Sequence, residues 1–218
     1  MAMCVLGNGM SGLGRDEERL VVLKACRARL QRLGSKARKE SAIVTQSNIA
    51  ACLAALGRKE EVLEMYLEIE RDVISWVGPD HQRAIIAADD VVIALLDVGR
   101  YAEAQARARE AAPLARRVFG ADHNVTMSLR ENIATAVLKA DSSSPEETRE
   151  AFRMYEDVIK DMTRVLGASH PETRFAQKNL NCCREKDRRR AALRARETQP
   201  PGPSVERTFA PGWLDGPS

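Results

Sequence analysis

Apolar residues recur along much of the chain at intervals of three and four, which is the period of an amphipathic α-helix. In the segment AIVTQSNIAACLAALG, Ile49, Leu53 and Leu56 fall on one helical face, and the segment ends at Gly57. The segment EEVLEMYLEIERDVISWVG repeats the pattern and ends at Gly78. A glycine that follows a periodic apolar segment is a typical helix stop. The two segments therefore predict a pair of helices joined by a short turn.

The phrase that ends this pair occurs three times, as SWVGPDHQRAI, RRVFGADHNVT and TRVLGASHPET. Its glycines, Gly78, Gly120 and Gly167, are 42 and 47 residues apart. Four polar residues keep the same register at intervals of 42, 42 and 47: Asn48, Asp90, Asn132 and Asn179. A period in this range predicts stacked helical units. The five extra residues fall in LKADSSSPEE, where we expect them to lengthen a loop and leave the packing unchanged.

The repeated phrase reads as the corner between one helix pair and the next. Glycine can adopt the left-handed conformation that ends a helix. We expect Asp80, Asp122 or Ser169 to cap the helix that follows each corner. Ser169 and Glu172 also have the spacing of a capping box.

Composition agrees with an all-helical chain. Hydrophobic residues make up 44% and aromatic residues only 4% of the chain, and strand-like alternation is absent. The net charge of +3 is too small to imply a nucleic-acid partner. Basic residues gather near one end, however, and the segment 184–196 reads REKDRRRAALRAR. This segment is either the solvated face of a terminal helix or a contact for RNA or nuclear import.

The cysteines and the absence of a long apolar run bear on location. None of the five cysteines (Cys4, Cys26, Cys52, Cys182 and Cys183) has CxxC spacing. This pattern predicts reduced thiols and a cytoplasmic location, with a nuclear one as the alternative. No apolar run approaches the roughly 18 residues that would span a bilayer. We therefore expect no membrane partner.

The segments NIAACLAALGRKEEV, DVVIALLDVGRYAEA and NIATAVLKA, with the corners RRVFGADHNVT and RVLGASHPET, resemble a tetratricopeptide repeat of the 42-residue, kinesin-light-chain type. The resemblance covers about 41–180. It implies an all-α, right-handed superhelical solenoid of antiparallel helix pairs and a role in binding proteins. The expected organisation is a flexible leader 1–14, a repeat domain 15–197 and a disordered Pro/Gly-rich tail 198–218. Within the domain we expect a half repeat 15–34, repeats 41–78, 81–120 and 123–167, and a capping helix 170–197.

Candidate catalytic and cofactor sites are weak. The histidines His81, His123 and His170 occur one per corner, so they should lie too far apart to share a metal ion. We expect them to pack on neighbouring helices. The segment GNGMSG at 7–12 matches a dinucleotide fingerprint but lacks the strands that such a site needs. The sequence therefore predicts no enzyme, no cofactor and no metal site.

The resemblance places a partner-binding groove on the first helices of the pairs. The expected site residues are Asn48, Asp90, Asn132 and Asn179, with Ser47, Asp89, Glu131 and Lys178 beside them. An amide side chain both donates and accepts, which suits a peptide backbone. The alternative is that these amides bond along the array. The expected function is a scaffold or adaptor that binds a peptide or a partner helix. An RNA-contacting adaptor, a fragment of a larger signalling or motor-associated protein, and a groove occupied by the tail segment GWLDG remain alternatives.

Overall fold

A computed structural model describes residues 15–33 and 36–197. The expected leader 1–14, with its GNGMSG segment, and the expected tail 198–218, with GWLDG, lie outside the described residues. The described residues up to Cys183 form one compact unit, and those from Arg184 belong to a second.

The described residues form helices joined by short connections and contain no strand. In chain order the helices are α1 Asp16–Leu33, α2 Lys36–Ala55, α3 Lys59–Val77, α4 Gln82–Asp97, α5 Tyr101–Phe119, α6 Asn124–Lys139, α7 Pro145–Leu166 and α8 Pro171–Glu197. From α2 onward, three to five residues connect each helix to the next. Connections this short make neighbouring helices antiparallel.

Successive helices pack on one another from α1 to α7, and α4 also contacts α6. The contact between α4 and α6 joins the first helices of two successive pairs. Ala176, Leu180 and Cys183 of α8 are buried in the same apolar cluster as Tyr155 and Val158 of α7. The predicted all-α solenoid of antiparallel helix pairs is therefore confirmed.

Three apolar clusters share helices and so form a continuous core. The first spans α1 to α4, the second α3 to α6, and the third α6 to α8. The buried face of α5 consists of alanines at intervals of four, three and four: Ala104, Ala108, Ala111 and Ala115. Small side chains at this spacing allow the flanking helices to approach α5 closely.

The corner glycines adopt a conformation that other residues avoid. Gly78, Gly120 and Gly167 have φ of 89, 95 and 93° and ψ of 163, 168 and 155°. This region lies beyond the left-handed helical one and is essentially restricted to glycine. A Cβ at these positions would meet nothing within 4 Å. The backbone dihedrals alone, not crowding, therefore require glycine at each corner.

The prediction that Asp80, Asp122 or Ser169 caps the following helix is wrong. His81 and His123 are the capping residues of α4 and α6, where Nδ1 accepts from the backbone N–H of Arg83 and Val125. His170 does the same for α8, since its Nδ1 accepts from the Glu172 N–H at 3.3 Å. Each predicted residue precedes the capping position by one residue.

The two aspartates have another role, because each pairs with an arginine near the end of the next second helix. The Asp122 carboxylate lies 2.6 Å from the Arg164 guanidinium, and that of Asp80 lies 3.6 Å from Arg117. Arg117 and Arg164 stand at the same place in their repeats, three residues before the corner glycine. These ion pairs connect successive corners.

The five-residue insertion changes a helix as well as a loop. The connection from α6 to α7 has five residues where that from α4 to α5 has three, and α7 has 22 residues where α5 has 19. The added turn of α7 begins with a capping box between Ser144 and Glu147, with Pro145 in its first turn. The capping box was expected at Ser169 and is found here. The prediction that the insertion only lengthens a loop is therefore wrong.

The residues from Arg184 to Glu197 continue the helix α8 in the second unit. Arg189 forms an i,i+4 ion pair with Glu185 at 2.9 Å. Interleaved charges of this kind are typical of a solvated helix.

Candidate functional site

A groove of about 660 Å³ opens on the first helices of the last pairs. The helices α4, α6 and α8 supply nearly all of its lining, and Met162 of α7 completes it. All of these lining residues belong to the unit that ends at Cys183. The lining residues are Asp89, Ile93, Leu96, Asp97, Asn124, Val125, Ser128, Glu131, Asn132, Thr135, Lys139, Met162, Pro171, Glu172, Phe175 and Asn179.

The structure brings four of the eight predicted site residues together in this groove. They are Asp89, Glu131, Asn132 and Asn179. The other four, Ser47, Asn48, Asp90 and Lys178, lie outside its lining. Ser47 and Lys178 are exposed, while Asn48 and Asp90 are half-buried. The hydroxyl of Ser47 donates to the carbonyl of Ile43 in its own helix.

The floor of the groove contains a buried polar network between α4 and α6. Asn132 Nδ2 donates to Asp89 Oδ1 at 3.0 Å and approaches Ser128 Oγ at 3.4 Å. Ser128 also forms a hydrogen bond with the Asp89 side chain. Asp89 and Asn132 are only 7% and 8% exposed, so this network is shielded from solvent. A shielded, hydrogen-bonded network of this kind holds the two helices in register.

A similar contact connects α6 to α8. The amide of Asn179 hydrogen-bonds the carboxylate of Glu131. The hydroxyl of Tyr155, a fully buried residue of α7, donates to Glu131 Oε1 at 2.5 Å. Burial and the nearby Glu131 raise the pKa of Tyr155, which keeps its hydroxyl protonated and able to donate.

The two contacts occupy equivalent places in successive repeats. Asp89 corresponds to Glu131, 42 residues later, and Asn132 corresponds to Asn179, 47 residues later. Each asparagine thus donates to the acidic residue of the preceding repeat. Their donors bond along the array, which was the alternative to direct contact with a ligand.

Burial changes the acidity of the floor. Desolvation, helped by the neighbouring carboxylates of Asp90 and Glu131, raises the pKa of Asp89 from 3.8 to about 7. The hydrogen bonds from Ser128 and Asn132 oppose this rise. Desolvation also raises the pKa of Asp90 to about 6 and that of Glu131 above its ordinary value. Asp89 and Glu131 in the floor, and Asp90 beside it, therefore bind protons more tightly than exposed carboxyls do.

Two apolar side chains of the groove lie open to solvent. Phe175 is 63% exposed and Ile93 is 41% exposed. Neither residue was predicted from the sequence, although a signal for Phe175 was present. It stands four residues before Asn179, as Val44 and Ile86 stand four before Asn48 and Asp90, and both of these are exposed too. Residues four apart share a helical face, so this position faces the same side in each repeat.

The histidines have structural roles at the corners. The ring of His123 also stacks on that of Phe119, with centroids 4.3 Å apart, as expected for packing on a neighbouring helix. Among the described residues, no group of three or more His, Cys, Asp or Glu could hold a metal ion. In the same part of the chain, no helix is long and apolar enough to cross a membrane.

A family model described as a tetratricopeptide repeat matches residues 86–124 and 146–172. The first range runs from within α4 through α5 and the next corner to the first residue of α6, and the second runs from within α7 through the corner to the start of α8. These two ranges are tetratricopeptide repeats, and the chain has a fold like that of kinesin-light-chain repeats. The kinesin-light-chain likeness comes from solved structures. A putative kinesin light chain from Podosopora anserina with nearly identical TPR-like repeats has a TM-score of 0.63, and a point variant of it has 0.65.

Sequence identity to both structures is 16%, and the match covers 90% of each chain. BtubC (BKLC) from P. vanneervenii has a TM-score of 0.53 at 13% identity, covering 99% of this chain and 86% of that one. None of the curated proteins matches. At these identities the solved structures show the fold of this chain and not a shared ligand.

Proposed function

We propose that this protein is a non-catalytic scaffold or adaptor that binds a peptide or a partner helix in the groove between α4, α6 and α8. The observation that carries the proposal is the exposure of Phe175 and Ile93 within a groove of about 660 Å³. Apolar side chains exposed together in a concavity, with polar groups around them, are typical of an interaction site. The repeat fold supports the proposal, because stacked helix pairs present an extended surface to a partner.

The polar floor supplies hydrogen-bond acceptors to the ligand. The amide nitrogen of Asn132 has two hydrogens and lies within hydrogen-bond distance of Asp89 and Ser128. With these donors engaged, the groups that remain for a ligand are oxygens of Asn132, Asp89 and Glu131. Backbone N–H groups of a bound peptide are suitable donors to them. The binding contribution of Ser47, Asn48, Asp90 and Lys178 stays a prediction for a longer ligand that extends beyond this groove.

The absence of catalysis and the cytoplasmic or nuclear location are part of the same proposal. Each corner histidine accepts a backbone N–H at a helix start, which occupies the nitrogen that a general base would use. The described cysteines Cys26, Cys52, Cys182 and Cys183 are all unbridged thiols. Unbridged thiols favour a reducing compartment.

A peptide selection tests the proposal. A random peptide library displayed on phage is panned against the full-length chain, and the affinities of enriched peptides are measured by calorimetry. Phe175→Ser should weaken them about tenfold or more, because the ring loses the apolar contact that a ligand would bury. Val165→Ser is the matched control, since Val165 is 41% exposed on α7 outside the groove. Failure to enrich any peptide, or equal effects of the two substitutions, would contradict the proposal.

A further inference from the structure

Asp89 and Glu131 differ from other buried and half-buried acids of the repeat domain in their partners. The carboxylate of Glu70 pairs with Arg107, and that of Asp161 pairs with Arg130 at 2.7 Å. Among the side chains that the structure describes, no Lys or Arg forms an ion pair with Asp89 or Glu131, and only the more distant charge of Lys139 acts to lower the pKa of Glu131. A desolvated carboxylate is costly unless a cation accompanies it.

The charge of the lining has one dominant sign. The groove contains four acidic residues, Asp89, Asp97, Glu131 and Glu172, and one basic residue, Lys139. Clefts lined by one sign of charge attract ligands of the opposite sign. The groove is therefore complementary to a cationic ligand and would repel an acidic one.

The apolar part of the lining restricts the ligand further. Ile93, Phe175 and Met162 contribute apolar surface to the same groove as the acids. A lysine or arginine side chain has an apolar stem and a charged head, so it can contact both kinds of surface at once. An arginine can also stack on the exposed ring of Phe175. A small inorganic cation would leave the apolar surface uncovered.

We propose that the groove selects partner segments in which a lysine or arginine stands beside an apolar residue, with the cationic head placed between Asp89 and Glu131 and the apolar residue against Ile93 and Phe175. This inference rests on the proposed function, because it names the chemistry of the ligand in the same groove. Helix α4 supplies Asp89 and Ile93, α6 supplies Glu131, and α8 supplies Phe175. The site is complete only where three successive repeats meet.

Binding of such a segment is coupled to proton release. A cation beside Asp89 stabilises its carboxylate, so the proton held by the free groove dissociates on binding. Affinity should therefore rise with pH up to about 7 and level off above it, where the free groove has already lost the proton. The titratable groups that line the groove are Asp89 and Asp97 of α4, Glu131 and Lys139 of α6 and Glu172 of α8. Outside the lining, Asp90 of α4 acts on Asp89, and Tyr155 of α7 hydrogen-bonds Glu131.

The test uses the peptides enriched by phage panning against the full-length chain. Their sequences should contain Lys or Arg next to an apolar residue more often than the unselected library. Asp89→Asn and Glu131→Gln should each weaken them roughly tenfold to a hundredfold, the range of a lost charge-assisted hydrogen bond. Asp122→Asn is the matched control, because this exposed aspartate lies outside the groove and should leave affinity within about twofold.

A folding control and a measurement of proton release accompany the affinity measurements. Asparagine has the shape of aspartate and its oxygen still accepts from Asn132, so the Asp89→Asn chain should fold, which circular dichroism checks. Calorimetry in two buffers of different ionisation enthalpy should also show proton release for the original chain and less for Asp89→Asn.

The outcomes separate the inference from the proposed function. Enriched peptides without Lys or Arg, or peptides whose affinity falls with Phe175→Ser but not with Asp89→Asn and Glu131→Gln, overturn the inference and leave the proposed function standing. Failure to enrich any peptide overturns both.

Discussion

Replacing Asp89 with asparagine should stabilise the folded chain at alkaline pH and leave it nearly unchanged at acidic pH. Asp89 is 7% exposed, and its pKa lies at about 7 in the folded chain against an ordinary value of 3.8. Between these two values the folded chain holds a proton that the unfolded chain has released. The free energy of unfolding contributed by this group is therefore fully present below the ordinary pKa and is lost as the pH rises to about 7.

The magnitude follows from the size of the shift. A rise from 3.8 to about 7 corresponds to about 4 kcal/mol, at roughly 1.36 kcal/mol per pKa unit. Asparagine corresponds to the protonated, uncharged form and keeps an oxygen for the Asn132 amide. The stability gain of Asp89→Asn over the original chain should grow from near zero at about pH 4 towards about 4 kcal/mol at about pH 8.

Urea denaturation followed by circular dichroism measures this difference across the pH range. Asp90 and Glu131 also have raised pKa values, so the original chain should lose stability with rising pH through three groups, and the comparison isolates one of them. Asp122→Asn is the control of opposite sign. Arg164 lowers the pKa of Asp122, so its ion pair stabilises the fold above the ordinary pKa and is lost on acidification. A pH-independent difference between the original chain and Asp89→Asn would refute the account of the floor.

Three further substitutions test the repeat corners and the core. Gly120→Ala should lower the free energy of unfolding by about 1–3 kcal/mol in thermal unfolding, because a φ of 95° with a ψ of 168° is essentially restricted to glycine. An unchanged melting temperature would contradict this corner geometry. His123→Ala should lower the free energy of unfolding by about 0.5–2 kcal/mol in urea denaturation, and His123→Asn should recover part of this loss, because asparagine can cap the helix in place of histidine. Equal losses in the two variants would show that the stacking of His123 on Phe119, and not the cap, stabilises the corner. Leu129→Ala should lower the free energy of unfolding by about 2–5 kcal/mol in the same assay, since Leu129 is fully buried in the central cluster, and a loss below about 1 kcal/mol would be inconsistent with that packing.

The helical repeat was predictable because its signals are local and recur. Gly78, Gly120 and Gly167 end helices in all three copies, and the apolar residues between them keep the helical period. A helix stop depends on a few neighbouring residues, so one copy of the phrase already predicts it and two more copies confirm it.

The capping residues were mispredicted because residue preferences do not locate the start of a helix to within one residue. Asp80 and His81 are adjacent, and aspartate is the better cap by preference. The structure begins the helix at Gln82, which leaves the capping position to His81. Asp80 instead forms an ion pair with Arg117, which is 37 residues later in the chain, and no local sequence pattern indicates this contact.

The position of the groove could be predicted from the sequence, but its hydrogen bonds could be predicted only in part. The regular spacing of the acids and asparagines was visible in the sequence, whereas the partner of each amide depends on how the first helices of successive repeats pack. Asn132 and Asp89 are 43 residues apart, and their hydrogen bond exists only because α4 and α6 are in contact. The exposure of Phe175 likewise depends on the groove and not on the helical period alone.

Site-specific photo-crosslinking of a selected peptide tests most directly whether the first helices form the partner-binding groove. A photoreactive phenylalanine analogue is placed at Phe175 in one chain and at Val165 in another, two exposed positions of which only the first lines the groove. We expect the peptide to crosslink at 175 and not at 165. Equal crosslinking at both positions, or crosslinking at 165 alone, would contradict it.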